Sequence, residues 1–429
     1  MAFEPPRTLG LLDAASIVAG TVIGAGIFLV PNLVAKQIAS PYAILAVWLF
    51  SGLLSLAGAL AFAELGAMIP SSGGQYAYLR EAFGPLPAFL CGWTFFLVIA
   101  TAAIAWLATS FAVYLSHFVP LVPWQRQVVA VVAIALLSAV NYHGVKGGAA
   151  VQKIFSMAKI AGILVLIGAA LWSPVNYWPQ ARFELPTVPQ WGLAMVACLL
   201  TFDGWAVLPM VAGEVKQPSR NLPFGLMLGV GVCIVLYVGA NAAYLKVLPA
   251  HETAGTERVA ARVAEIAIGD RGAVVVSAIV LLSVSGAMNG WILAAPRIYL
   301  AQARDGLFFA RFGVLHPRFL TPGFSIFVQF VWAAVLCLSG TYEALGSYVM
   351  FAAWLFYGAT VLGVIVLRRT RPGAARPYRV WAYPLLPLLF AAVALGFVAN
   401  SLVNDPKPAL SASVLIAAGL PAYYFWRRR

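Results

Sequence analysis

Three stretches place residue types able to do chemistry inside an otherwise apolar chain. The first is Gly20-Thr21-Val22-Ile23-Gly24-Ala25-Gly26-Ile27-Phe28, midway along an apolar run from Leu11 to Ala35. Glycine costs about 1 kcal/mol relative to alanine inside a helix, and β-branched residues also lower helix propensity. Gly20, Gly24 and Gly26, with Thr21, Val22 and Ile23 among them, therefore mark a place to unwind. In lipid an unwound backbone is tolerated only where protein buries it or where it lines a cavity. Such a break frees C=O groups on the half-helix before it and N–H groups on the half after it. Freed amides attract a carboxylate; freed carbonyls attract an ammonium or a metal cation. One break can thus hold both charged ends of an amino acid. The alternative is that these small residues let neighbouring helices approach closely.

The second stretch is Leu200-Thr201-Phe202-Asp203-Gly204-Trp205, with Pro209 one turn later. Asp203 falls near mid-membrane, where an ionisable side chain costs a few kcal/mol and is by default a functional candidate. It could equally cap the outer half-helix of a second break. The third feature is Lys159, about 15 Å along its helix from Ala149 at 1.5 Å per residue. That places it near the bilayer centre, beyond easy snorkelling to water. Its ammonium needs carbonyls, hydroxyls or a carboxylate. The freed carbonyls of the first break suit, as does Ser283. A fixed ammonium can replace a bound sodium ion; carrying a proton and bracing the helices are both open roles.

The elements that position these groups are membrane spans. The chain is 62% hydrophobic and 10% charged, against about 25% charged in soluble domains. About twelve segments reach the roughly 20 residues needed to cross hydrocarbon. They begin near Leu11, Tyr42, Leu86, Arg126, Ala149, Gln190, Phe224, Gly272, Gly323, Ala344, Tyr383 and Ala409. The expected fold class is an all-α integral membrane protein in a single unit, residues 1-429, with no large soluble domain. The net charge of +13 does not suggest nucleic acid, because the basic residues lie in short loops. With the N-terminus inside, most of the 27 Lys and Arg residues fall in inner loops and tails, including Arg368 to Arg379 and Arg427 to Arg429. The positive-inside rule then makes both termini cytoplasmic. Met1 to Gly10, with Glu4, Pro5, Pro6 and Arg7, has no cleavable signal pattern.

Segments one and six are both broken, five spans apart. Paired interrupted helices in two halves point to an inverted-repeat transporter with its site at the midplane. Helices 1-5 would cover 11-173, helices 6-10 would cover 190-367, and helices 11-12 would cover 383-426. The halves show no residue-level similarity, so this rests on the breaks. Glu64, Arg80, Glu81, Glu214, Arg220 and Arg297 gather at inner ends, as gate residues or as interfacial charges. His117, His143, His251 and His316 are scattered, and Cys91, Cys198, Cys233 and Cys337 form no CxxC. Neither a metal site, a cofactor nor an enzyme constellation is visible, and no Walker loop is present.

With these residues in view, the sequence resembles the amino acid–polyamine–organocation superfamily, specifically bacterial relatives of the L-type amino acid transporters. Gly20 to Phe28 is similar to the family's GTIIGSGIF. Glu64-Leu65-Gly66 and Ile69-Pro70-Ser71-Ser72-Gly73-Gly74-Gln75-Tyr76 resemble its second span and following loop. Glu214 to Pro223 resembles the loop after span six. Leu282-Ser283 through Asn289-Gly290, with Pro296-Arg297 and Arg304-Asp305-Gly306, resembles span eight and its inner end.

The resemblance implies a LeuT-type 5+5 inverted repeat with discontinuous helices 1 and 6. It implies a substrate carboxylate on amides near Ala25 and Gly26, with the ammonium on carbonyls near Val22, Leu200 and Thr201. It also implies sodium independence, with Lys159 matching the lysine that replaces a sodium site and bonds toward Ser283. The expected activity is exchange of neutral L-amino acids across a bacterial cytoplasmic membrane; proton symport and a non-transporting sensor are the alternatives. Ala25 stands where the family usually has serine. Leu200 stands where it often has the first aromatic of F-A-Y-D-G-W, which leaves Phe202 as a candidate lid. Animal members attach a glycoprotein chain through a cysteine between spans three and four. The loop His117 to Gln125 has none, so no disulfide-linked heavy chain is expected.

Overall fold

The computed structural model describes residues 6–339, 342–404 and 406–427 of the chain. Glu4, Pro5, Arg428 and Arg429, used above for the termini, lie outside the described residues.

The described residues form helices joined by turns and by three longer connections, 173–187, 305–322 and 371–384. In chain order these are α1 (Leu11–Val22), α2 (Gly26–Gln37), α3 (Pro41–Met68), α4 (Gln75–Phe83), α5 (Pro85–Thr94), α6 (Ala100–Leu115), α7 (Pro123–Tyr142), α8 (Val145–Trp172), α9 (Val188–Thr201), α10 (Pro218–Val247), α11 (Ala250–Gly255), α12 (Val259–Ile268), α13 (Gly272–Ala294), α14 (Pro296–Arg304), α15 (Gly323–Leu338), α16 (Tyr342–Thr370), α17 (Leu385–Asn404), α18 (Pro406–Ala417) and α19 (Gly419–Arg427). Sequence sets many of the starts. Pro41, Pro85, Pro123, Pro218 and Pro296 each occupy the first helical position. There the missing N–H costs nothing and the fixed φ suits the helix.

Among the described residues ten helices are long and apolar enough to cross a membrane, or eleven with the bent pair α1–α2 counted as one span. The chain is thus a multi-pass membrane protein. The expected count of about twelve is reached only if α15, a shorter apolar helix of 16 residues, also crosses.

The first break is present. Helix α1 stops at Val22, Ile23 turns to ψ 93°, and α2 resumes at Gly26 with a bend of 47°. In the sixth span α9 ends at Thr201, and a 3-10 helix, Trp205–Glu214, continues the path. Between them Gly204 takes φ +112°, a conformation that glycine adopts without steric cost. The two interruptions lie side by side. A Cβ on Gly204 would sit 3.1 Å from the backbone of Thr21, and one on Gly26 would sit 2.7 Å from Thr201 Cγ2. Pro209 and the 3-10 geometry keep the rest of this span tightly wound. A third irregularity, a π-helical turn at Phe95–Ile99, joins α5 to α6. Its carbonyls find donors: Trp332 Nε1 bonds Leu97 O at 3.0 Å and Thr101 Oγ1 bonds Phe96 O at 2.9 Å.

The N-terminus fixes one face of the bundle. The N–H groups of Thr8 and Leu9 donate to Glu214 O at 2.8 and 2.9 Å, and Lys216 N–H returns to Leu9 O at 2.8 Å. The start of α1 and the end of the sixth span therefore share a face, called the N-terminal face below.

Candidate functional site

At the junction of the two breaks lies a cavity of about 330 Å³, near the small end of the roughly 300–1,000 Å³ typical of ligand sites. Thr21, Val22, Gly24, Ala25 and Gly26 form one wall; Leu200, Thr201 and Asp203 form another. Ala103, Trp106 and Leu107 of α6, Ala287 and Trp291 of α13, and Val349 and Met350 of α16 complete it. The cavity runs along α2 past Leu29, Val30 and Leu33, away from the N-terminal face.

The helix ends give the cavity its polarity. Among the first-turn amides of α2, Phe28 N–H donates to Ala25 O at 3.1 Å; those of Gly26 and Ile27 precede the helix's own acceptors, and Gly26, where that turn begins, lines the cavity. The last carbonyls of α1 are the complementary pole. Lys159 Nζ donates to Gly20 O at 2.7 Å, Ile23 O at 2.6 Å and Ser283 O at 2.8 Å. Lys159 is fully buried, so these three bonds stand in for its lost hydration. Gly286 makes room for it: a Cβ there would stand 2.9 Å from Nζ. The contact with Ser283 is through the backbone carbonyl; the Ser283 hydroxyl is buried without a partner.

Several expected residues sit elsewhere. Phe202 does not line the cavity. Its buried ring packs on Trp48 and Tyr237, with centroids 6.1 and 4.8 Å away, because the turn after Thr201 swings it off the cavity side. The aromatic walls are instead Trp106 and Trp291. Ile23 faces α8 through its carbonyl, and Gly204 lies against the Thr21 backbone. Asp203 caps neither half of the second break: α9 ends before it, the 3-10 helix Trp205–Glu214 has no side-chain cap, and the Asp203 carboxylate accepts from Tyr357 OH at 2.9 Å.

Sequence reasoning missed Tyr237. Its hydroxyl lies 3.1 Å from Val22 O and 3.3 Å from Thr201 O, joining the carbonyl ends of both breaks. Each carbonyl keeps a second lone pair for another donor. The run from Leu226 to Ala240 around it in α10 is apolar on every face, so nothing there distinguishes this tyrosine from an ordinary packed ring. Tyr237→Phe keeps the ring packing and loses the hydroxyl; thermal unfolding of the purified protein should show a loss of about 1 kcal/mol. A stability equal to wild type would mean that the bridge contributes nothing.

At the N-terminal face the bundle is tied by ion pairs. Arg297 Nε meets Glu214 Oε1 at 2.7 Å, both side chains fully buried. Arg368 binds Glu64 through two nitrogens at 2.8 and 2.6 Å, and Val380 N–H adds a bond at 2.7 Å. Asp305 accepts from Tyr76 OH at 2.7 Å and Arg80 Nη1 at 2.6 Å. Glu64 and Arg297 thus have partners on different helices. Arg220 does not join them: it is exposed and, among the described residues, makes no ion pair. No group of His, Cys, Asp or Glu able to hold a metal occurs among the described residues.

A many-helix membrane bundle with two interrupted helices enclosing a small cavity points to a transport protein. The family described as "Amino acid permease" matches residues 9–423, and the chain belongs to it, within the amino acid–polyamine–organocation superfamily. It is a transporter family and not an enzyme family. The chain is 32% identical to the serine/threonine exchanger SteT of Bacillus subtilis, over 99% of this chain and 97% of that protein. It is 33% identical to the human b(0,+)-type amino acid transporter 1, over 98% of this chain and 88% of that protein. It is 32% identical to the human cystine/glutamate transporter, over 99% of this chain and 87% of that protein.

Proposed function

We propose that this protein is a sodium-independent exchanger of neutral L-amino acids, working by alternating access in a bacterial cytoplasmic membrane with both termini cytoplasmic. The observation that carries this reading is the cavity between the two breaks, with amides at one end and carbonyls at the other. In this reading the substrate carboxylate binds at Gly24, Ala25 and Gly26, and its ammonium binds at the carbonyls around Thr21, Val22, Leu200 and Thr201. The side chain then points among Ala103, Trp106, Trp291 and Val349. Among the described residues no Lys or Arg lines that space, so an anionic side chain would be buried unpaired, at a cost of several kcal/mol. Asp203, already engaged by Tyr357, would be shared with any cationic one.

Sodium independence is supported by Lys159, whose ammonium fills the space between three carbonyls at 2.6–2.8 Å where a cation would otherwise bind. Alternating access is supported by asymmetry: the cavity extends along α2, while the ion pairs of Arg297 and Glu64 tie the N-terminal face as an inner gate. The repeats proposed from the sequence, helices 1–5 and 6–10, place the breaks in corresponding positions. Exchange is favoured by the likeness to a serine/threonine exchanger. Proton-coupled symport is the second reading, motivated by the buried Lys159. All four cysteines are buried, which favours function without a disulfide-linked partner.

Counterflow in proteoliposomes at clamped pH, with choline replacing sodium, tests this. Internal neutral amino acid should accelerate uptake at least about tenfold, about 1.4 kcal/mol in the rate-limiting barrier, and choline should change nothing. Uptake indifferent to internal substrate would favour symport, and a sodium requirement would remove the role given to Lys159.

A further inference from the structure

The N-terminal face holds a second concavity, unrelated to the substrate cavity. Helices α7 and α15 pack against each other, and two adjoining hollows lie along their seam. The lower, about 530 Å³, is lined by Tyr142, Arg311, Leu315, His316 and Phe324. The upper, about 250 Å³, is lined by Ala135, Ser138, Ala139 and Phe330. Tyr142 and Phe327 belong to both. From Tyr142 to Ala135, and from Gly323 to Phe330, the groove climbs about 10 Å at 1.5 Å per residue. It therefore runs from the membrane interface into hydrocarbon.

Its two ends differ in chemistry. The upper end offers carbon, and Phe327 on its rim is 56% exposed, turned outward where lipid would lie. The mouth is basic. The Arg311 guanidinium lies 4.5 Å over the Phe324 ring; among the described residues it meets no carboxylate. His316 Nδ1 accepts the N–H groups of Arg318 and Phe319, each at 3.2 Å, which leaves Nε2 as a donor. Arg318 adds a second cation beside Phe319, 5.5 Å from its ring. The first turn of α15, at Gly323 and Phe324, opens on the same hollow, and a helix N-terminus favours an anion.

We propose that the α7–α15 groove binds an anionic phospholipid, with its phosphate on Arg311 and His316 and one acyl chain lying along Phe327 toward Phe330. Charge complementarity selects the headgroup, and the apolar upper hollow selects a lipid over a soluble phosphate. Basic pockets between membrane helices hold anionic headgroups by this means.

Native mass spectrometry of the solubilised full chain tests it by titration with phosphatidylglycerol, phosphatidylcholine or glycerol phosphate. Wild type should retain phosphatidylglycerol about fivefold better than phosphatidylcholine, the factor one surface Arg provides toward anionic lipid. Arg311→Gln should erase that preference. Ala139→Trp, which obstructs the upper hollow and leaves Arg311 in place, should lower retention of both lipids. Arg126→Gln, on the opposite face, should behave as wild type. Undiminished phosphatidylglycerol preference in Arg311→Gln, unaltered retention in Ala139→Trp, or glycerol phosphate binding as well as the whole lipid would each overturn the assignment. A sterol or a partner helix in the groove would show as retention insensitive to headgroup charge.

Discussion

Lys159→Ala is expected to reduce amino acid transport about 100-fold or more, which corresponds to about 3 kcal/mol of activation free energy. The ammonium holds Gly20 O and Ile23 O of the first break against Ser283 O of α13. Its removal leaves Gly20 O and Ile23 O, at the broken end of α1, without that donor, each costing about 1–3 kcal/mol, while Ser283 O keeps the helical bonding of α13. It also removes the stem that fills the space beside Gly286. The end of α1 then has no reason to hold the geometry that Val22 and Gly24 present to the cavity. Lys159→Met, which restores the stem and not the charge, separates packing from electrostatics and should rescue folding but not transport. Rates measured in proteoliposomes across a pH series check this. An alanine variant with wild-type rates at every pH would reduce Lys159 to a spacer.

Gly26→Val is expected to abolish substrate binding while leaving a folded protein. A Cβ at this position would stand 2.7 Å from Thr201 Cγ2 and 2.8 Å from Thr201 Oγ1, closer than real Cβ contacts come. The two breaks must then separate just where their backbone atoms are to grip one small molecule. The clash falls on a side chain, so the bundle can survive it; the alignment of the α2 amides cannot. Affinity should fall by more than about 100-fold, or roughly 3 kcal/mol. Shortening the opposing side chain, in Gly26→Ala with Thr201→Ala, should recover part of it. Calorimetric titration of the purified variants decides, and wild-type affinity in Gly26→Val would refute the site.

The first break was legible because its glycines are local: three of them beside β-branched residues weaken a helix in any surroundings. Lys159 was legible for a related reason, since an ammonium at that depth must find oxygen, and Gly20 and Ile23 supply it. Span starts were legible only approximately: the starts expected near Arg126 and Phe224 fall at Pro123 and Pro218, because a proline at the first helical position extends the helix beyond its apolar core. Side-chain direction was not. In α10 and α16 apolar residues cover every face, so no periodicity reveals that Tyr237 turns toward the breaks or Tyr357 toward Asp203. Phe202 was misplaced because each residue of helix turns about 100°, and the irregular turn at Phe202–Gly204 makes that rotation unreadable from sequence. Arg220 carried the right charge at the right end of a span, yet charge type alone does not say which pairs will meet. The ninth segment is marginal for the same reason in reverse: its composition is that of a span, while its helix of 16 residues is shorter than the roughly 20 residues expected.

The most direct measurement is binding of substrate analogues altered only at the α-carbon groups, by titration calorimetry on the purified transporter. If bare peptide groups at Gly26 and at Val22 and Thr201 hold the zwitterion, the decarboxylated amine and the N-acetylated acid should each bind at least about 100-fold more weakly than the parent amino acid, while exchange of one small neutral side chain for another should change affinity far less. Parent-like affinity for either analogue would contradict the account.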